Sequence, residues 1–415
     1  MLLKITRYEI KKIFRQKSVW VICLVLLFVS MFNIYKAHYQ FTPQDGHPSS
    51  ASGVLRVYDK YSGEMTPARI AQVVADEAAL SAAVQEPDSY LGYSPEQYET
   101  GYLYAQSETV SEIRSEMERI YFYNDQVQKI SAKAQKYADA YESRNTYLSN
   151  LNQKIADTYN AREITSFYNT KDFPQYFSYL FSSMAVLVLL VLGLAGKFSA
   201  ERELEADRIL LTSRYGREKT ALAKLLSGWV YVLMLSVVFG AADLAMFWYC
   251  YDFTGFSQPI YAILEYENTA LNMTIAQVIG LIFVLETLGF LVFGTAVMLL
   301  SALSRSGFAT FVWAACFLAG MLTLSILYPF GAGAYLNLVN PVKLIGSISL
   351  FSEFSVIRIY NTPVSTAALA IAAGLLALVL LSAGTILGGR RFISRTGLRK
   401  KIRHFLSRKK EAVSC

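Results

Sequence analysis

The chain alternates long apolar runs with shorter polar stretches. Six runs, 18–36, 174–196, 218–251, 275–303, 307–328 and 364–388, carry apolar residues at nearly every position. Their pattern follows neither the one-sided spacing of a surface helix nor the alternation of a half-buried strand. Each reaches the roughly 20 residues that a helix needs to cross about 30 Å of hydrocarbon. The pattern therefore predicts an all-α integral membrane protein with six transmembrane helices.

The polar stretches differ among themselves. Residues 1–17, MLLKITRYEIKKIFRQK, put Leu3, Ile10, Ile13 and Phe14 on one helical face and Lys4, Lys11, Lys12 and Arg15 on the rest. A basic amphipathic helix of this kind lies flat among lipid headgroups; the alternative is an ordinary positive flank of the first span. That span lacks a small-x-small cleavage pattern and runs on into MFNIYKAHY, so it is expected to stay as an anchor.

Residues 37–173 form a separate domain between the first two spans. Its start, HYQFTPQDGHPSSASG, is rich in turn formers. After Gly101 neither Gly nor Pro recurs until Pro174. One helix over that stretch of 72 residues would run about 108 Å, too long for a chain that must return to the membrane. A helical hairpin or bundle is expected, reversing near FYNDQ (122–126) or ESRNT (142–146). Val127, Ala134, Tyr141, Leu148 and Ile155 recur at seven-residue spacing, but Ser131, Ala138, Asn145 and Asn152 hold the intervening rungs. That favours bundle packing over a coiled-coil stalk. The 329–363 stretch is too apolar for an open loop and too broken for a span, and predicts short interfacial or re-entrant helices. Thr362 and Pro363 are expected to cap and open the sixth span.

Composition supports lipid as the solvent: 53% of residues are hydrophobic and 17% charged, against about 25% charged in soluble domains. The net charge of +7 raises nucleic acid as a partner. Nucleic-acid binding would need those bases gathered on a folded domain with stacking aromatics, and no such domain is available. Instead, 24 of the 39 Lys and Arg fall on one side of the spans: six in 1–17, seven in 197–224, Arg305, and ten in the basic tail 389–415. The loops on the other side hold only Lys343 and Arg358, and 37–172 has 12 bases against 19 acids. The excess marks the cytoplasmic face, which puts both termini inside and the 37–173 domain outside.

Little catalytic chemistry is legible. Around Gly196-Lys197 a phosphate-binding loop would need Gly at 191 and Ser or Thr at 198, where Val191 and Phe198 stand. ATP hydrolysis is therefore not expected in this chain. His38, His47 and His404 all lie outside the spans, so no His-ligated intramembrane metal is expected. Cys23, Cys250, Cys316 and Cys415 form no disulfide framework. Asp243 and Glu286 fall within spans, and Asp252 at a span edge. Intramembrane carboxylates are costly and usually functional. Either these contact substrate, bridge subunits or relay protons, or each is a protonated acid bonded to a neighbouring Ser or Thr for structure alone.

The segment 197–217 remains. Glu201, Glu203, Glu205 and Asp207 mix with Arg202 and Arg208; Ile209, Leu210 and Leu211 then make an apolar knob before Thr212, Ser213 and the turn at Gly216 and Arg217. An apolar knob within a charged rim is the anatomy of a protein contact, although a solvated loop with a few interfacial leucines is the rival. The basic start, the domain after the first span, E-R-E-x-E…R-I-L-L-T-S-x-x-G-R-x-K…A-K-L and the four further spans resemble the permease subunit of bacterial type-2 ATP-binding-cassette exporters. The resemblance implies that 197–217 is a coupling helix docking on a cytoplasmic ATPase, with Glu201, Glu203, Arg208, Leu210, Leu211, Thr212, Ser213, Gly216, Arg217 and Lys224 on the motif. It implies two permease chains, identical or paralogous, in the bacterial cell membrane, with ATP and magnesium held by the partner ATPase and no cofactor in this chain. The exported substrate would be a peptide, antibiotic, lipid or ion. The alternative is a non-transporting sensor or scaffold whose outer helical domain binds a ligand.

Overall fold

The computed structural model describes residues 2–41, 51–83, 95–203, 218–251, 253–327 and 337–411. Asp252, the last four residues, 412–415, and the stretch 328–336 lie outside them. Among the described residues the fold is helical, with two minimal antiparallel strand pairs.

Among the described residues, six helices are long and apolar enough to cross a bilayer. A short helix, α1 (Leu2–Phe14), precedes the first, α2 (Lys17–Phe41). The second span is composite: α7 (Phe173–Ser178), α8 (Phe181–Leu194) and α9 (Gly196–Glu203), with breaks at 179–180 and at Ala195. Pro174 opens α7, where its missing N–H costs nothing. Spans three to five are α10 (Glu218–Tyr251), α11 (Ile275–Leu303) and α12 (Gly307–Leu327). A capping box starts α11, Thr274 accepting from the Gln277 amide while the Gln277 side chain accepts from the Thr274 amide.

Helix α8 is the axis of the bundle. Leu187, Leu190 and Leu194 are buried against Val232 and Leu235 of α10 and Phe293 and Val297 of α11. In lipid such burial gains little from expelling water, so close packing decides it and small residues matter. A Cβ on Gly193 would lie 2.6 Å from the Tyr231 ring, which crosses over that glycine to donate to the Leu189 carbonyl at 3.1 Å. The outer spans keep apolar residues all round, as lipid-facing helices do: Phe28 is 70% and Trp313 62% exposed.

The domain inserted between spans one and two holds α3 (Ala51–Tyr61), α4 (Pro67–Ala83), α5 (Pro95–Tyr141) and α6 (Thr146–Asn160). The 47 residues of α5 make a rod of about 70 Å. It passes straight through 122–126; the reversal falls at 142–145, where Asn145 caps α6 by accepting from the Leu148 amide at 3.2 Å. Val127, Ser131, Ala134 and Ala138 are buried against α6. The small rungs let the helices approach closely enough for Ser131 Oγ to donate to Ala156 O (3.1 Å) and Ser149 Oγ to Ala138 O (2.9 Å). The seven-residue spacing thus serves an intramolecular hairpin. Further along α5, Val110, Ile113, Met117 and Ile120 form one face and pack with Tyr58, Tyr61 and Val73. The pair β1 (Gly63–Glu64) and β2 (Ser166–Phe167) ties the domain's two ends together.

The described part of the 329–363 stretch holds two short helices, α13 (Pro341–Ile345) and a 3-10 turn over Ser347–Leu350, and departs from the expectation in the hairpin of β3 (Val356–Ile359) and β4 (Thr362–Ser365) that follows. Thr362 and Pro363 are strand residues, and the sixth span, α14 (Thr366–Glu411), starts after them. The β-branched Val356, Ile357 and Ile359 favour a strand over a helix turn, and Tyr360 turns the chain with φ 54°. Helix α6 then holds the hairpin: Lys154 Nζ donates to Pro363 O at 3.1 Å and Asn150 Nδ2 to Asn361 O at 2.9 Å.

Candidate functional site

Most of the motif singled out in the sequence, Arg208, Leu210, Leu211, Thr212, Ser213, Gly216 and Arg217, lies outside the described residues. Its root, α9, is described in full. The chain breaks its helix at Ala195, which frees backbone groups that lipid cannot satisfy. Ser301 of the fourth span meets the break: its hydroxyl accepts from the Phe198 and Ser199 amides at 3.0 and 3.2 Å and donates to Ala195 O at 2.7 Å.

Four charged side chains of α9 then reach three neighbours. Lys197 Nζ lies 2.9 Å from Glu9 Oε2 of α1, with the two side chains 4% and 6% exposed. Glu201 takes Lys12 of α1 on one oxygen at 2.9 Å and Lys224 of the third span on the other. Arg202 donates to Ser304 O and Ala302 O, both at 2.6 Å, at the turn between spans four and five. Glu203 accepts from the Gly307 amide at 3.4 Å. Burial works against the Lys12 ammonium, but the hydrogen bond and charge of Glu201 outweigh it and hold its pKa above the ordinary lysine value. Removing one partner of a buried pair such as Glu9–Lys197 costs about 3–5 kcal/mol, because the other charge is left uncompensated. Glu201 and Lys224, both on the expected motif, therefore face each other inside the protein, whereas Glu203 is exposed.

The second constellation lies in the half of the bundle nearer the inserted domain. Two adjacent serines at the start of α8 serve carboxylates from two different spans. Ser182 Oγ donates to Asp243 Oδ1 at 2.7 Å, and Ser183 Oγ donates to Glu286. Ser30 of the first span also donates to Asp243, at 3.2 Å, and Tyr179 donates to Ser30 O at 3.0 Å. Glu286 stands eleven residues along α11 from Ile275, about 16 Å from that end. The amide end of α8 adds a partial positive charge beside both acids. The arrangement can bind spans one to four together, and it can offer carboxylate oxygens to a polar group passing between them.

A third node fixes the inserted domain. Arg162 is 4% exposed and lies between the rings of Tyr159 and Tyr261. It donates to Asn272 Oδ1 (2.8 Å), Thr269 O (2.5 Å), Glu267 O (3.2 Å) and the Tyr123 hydroxyl (3.3 Å). Three of those partners belong to the linker between spans three and four, whose Tyr261 and Ala262 complete the domain's own core. On another side of the domain, a groove of about 840 Å³ runs between α4 and α5, lined by Glu77, Ser81, Tyr104, Glu108, Glu112 and Lys171 among others.

Sequence reasoning missed Glu9, Lys197, Ser301, the Ser182-Ser183 pair and Arg162. Two signals were present: Glu9 is the one acid of a basic helix, and paired serines interrupt an apolar run. For Arg162 there was none.

Six apolar helices, a helical domain set between the first two, and a charged node where the second span exits define a multi-pass helical membrane protein. Residues 17–388 match the family model for ABC-2 family transporter protein, and the chain belongs to that family. It is thus a transmembrane component of an ABC transporter, a family that implies association with an ABC ATPase. No curated protein and no solved structure matches the chain.

Proposed function

We propose that this chain is the permease subunit of an ATP-driven exporter in the bacterial cell membrane, with α1, α9 and both termini in the cytoplasm and the inserted domain outside. The observation that supports it is the bonding of α9 on three sides. A cytoplasmic ATPase gripping 204–217 pushes directly on α9. Because α9 is ion-paired to α1 and the third span and hydrogen-bonded to the turn between spans four and five, the push moves those elements together. Leu210 and Leu211 supply the apolar centre of that grip, with Glu203, Arg208, Thr212, Ser213, Gly216 and Arg217 around it. Two permease chains frame the pathway, and ATP and magnesium sit in the ATPase. Asp243 and Glu286 form its polar station in the outward half, where a departing substrate exchanges hydrogen bonds with Ser182 and Ser183.

Co-purification tests the coupling. The chain brings down a nucleotide-binding ATPase and stimulates its hydrolysis, and Leu210→Asp with Leu211→Asp abolishes both; retained binding would sink the docking assignment. Export measured after Glu286→Gln tests the polar station: full transport at unchanged expression would leave Glu286 a purely structural residue. A cysteine at position 213 that reacts only from outside the cell would overturn the orientation.

A further inference from the structure

Helix α1 has three faces. Its inward face, Thr6, Glu9 and Ile13, is buried in the protein. Beside it, along one side of the helix, stand Leu3, Ile10 and Phe14, with Leu3 83% and Phe14 41% exposed. Next to that apolar strip come Lys4, Arg7, Lys11 and Arg15, all exposed and used by none of the ion pairs among the described residues. The one acid of the helix, Glu9, is turned inward onto Lys197, and Lys12 is committed to Glu201. The surface that α1 presents is therefore a strip of apolar side chains bordered by uncompensated positive charge.

We infer that this face of α1 is a binding surface for anionic phospholipid: the apolar strip enters the acyl boundary while Lys4, Arg7, Lys11 and Arg15 take the phosphate and other anionic groups of the heads. A merely positive flank needs no apolar strip, and a merely interfacial helix needs no charge excess; α1 has both, side by side. Charge complementarity selects anionic over zwitterionic heads. The position fits, because Phe14 packs on Trp20 (ring centroids 5.1 Å apart) at the point where the first span begins. Lipid held on the outer face of α1 also bears on Lys197 and Glu201, gripped from its inner face. That consequence rests on the proposed coupling role; the lipid surface itself does not.

Trp20 supplies the test. The full chain is placed in nanodiscs of phosphatidylcholine containing rising fractions of dibrominated phosphatidylglycerol or dibrominated phosphatidylcholine. The signal of Trp20 is taken as the difference from a Trp20→Phe variant. Phosphatidylglycerol quenches Trp20 at a several-fold lower fraction than phosphatidylcholine. Replacing Lys4, Arg7, Lys11 and Arg15 by Gln removes the difference, whereas replacing Lys4 and Lys11 by Arg keeps it. Should the fourfold variant fail to fold, Lys4→Gln with Lys11→Gln lowers the preference without abolishing it. Equal quenching by the two lipids, or a preference untouched by either Gln variant, overturns the inference. No ATPase is present, so the outcome stands apart from the transport reading.

Discussion

Replacing Arg162 by Ala should loosen the inserted domain from the membrane bundle without unfolding the spans. The guanidinium is buried between two tyrosine rings and serves four acceptors, three of them in the linker between spans three and four. Truncation orphans Thr269 O, at a cost of about 1–3 kcal/mol, while Glu267 O keeps the Tyr123 hydroxyl as a donor at 3.3 Å. With the charge-assisted bonds to Asn272 and Glu267 also lost and water recovering part, a net loss of about 2–3 kcal/mol is expected. Arg162→Lys retains the charge but not the fork, reaches fewer of the acceptors at once, and should lose about half as much. Hydrogen exchange read by mass spectrometry localises the effect. Peptides covering 260–272 and 156–167 should exchange on the order of 100-fold faster in Arg162→Ala, while those within α8 and α11 stay as protected as before. If exchange in 260–272 is unchanged, the clamp does not hold the linker and the reasoning from its hydrogen bonds fails. If α8 accelerates equally, domain and bundle unfold as one unit and the local account is refuted.

Further outcomes follow from the same structure. Lys197→Met should lower thermal stability by about 3–5 kcal/mol by stranding Glu9, and adding Glu9→Met should recover most of it, because an apolar pair replaces a buried ionic one at little cost; a double variant as unstable as the single removes the pair from the account. Gly193→Ala should cost about 1–3 kcal/mol by overpacking against Tyr231, and Tyr231→Leu should relieve it, as thermal melting of the two variants and their combination will show. Burial pushes the Asp172 carboxyl up to about 6, with Lys171 opposing. Its folded pKa is above the unfolded one, so its contribution is fully present below about pH 4 and is lost as pH rises through 6. Asp172→Asn should therefore stabilise the protein at pH 7.5, by at most about 3 kcal/mol, and leave it unchanged at pH 4; a stabilisation that does not vary with pH would refute the assignment.

The spans were legible because the bilayer imposes a length and a polarity on each of them, and both are local properties of the chain. The hairpin of α5 and α6 was half legible. The absence of Gly and Pro demanded a reversal, but only Asn145, with its capping side chain, distinguished 142–145 from 122–126. The hairpin ahead of the sixth span was misread because Thr362-Pro363 carries the same local signal at a strand start as at a helix start. What escaped entirely were meetings between distant residues. Ser301 caps a helix break about a hundred positions earlier, Ser182 and Ser183 meet acids of two other spans, and Arg162 closes on the 267–272 carbonyls and amide. Apolar periodicity says which face of a helix is inward, not which neighbour it meets. Glu201 shows the consequence: a charged residue in a charged segment reads as solvent-facing, yet its two oxygens are occupied from opposite sides.

Tyr261 and Ala262, though they belong to the linker between the third and fourth spans, sit in the hydrophobic centre of the inserted domain. That domain is consequently discontinuous in sequence, and residues 37–173 cut out alone would expose a hole where the tyrosine ring belongs. A chimera that transplants the domain onto another six-span chain will fold only if the donor's 256–274 segment travels with it.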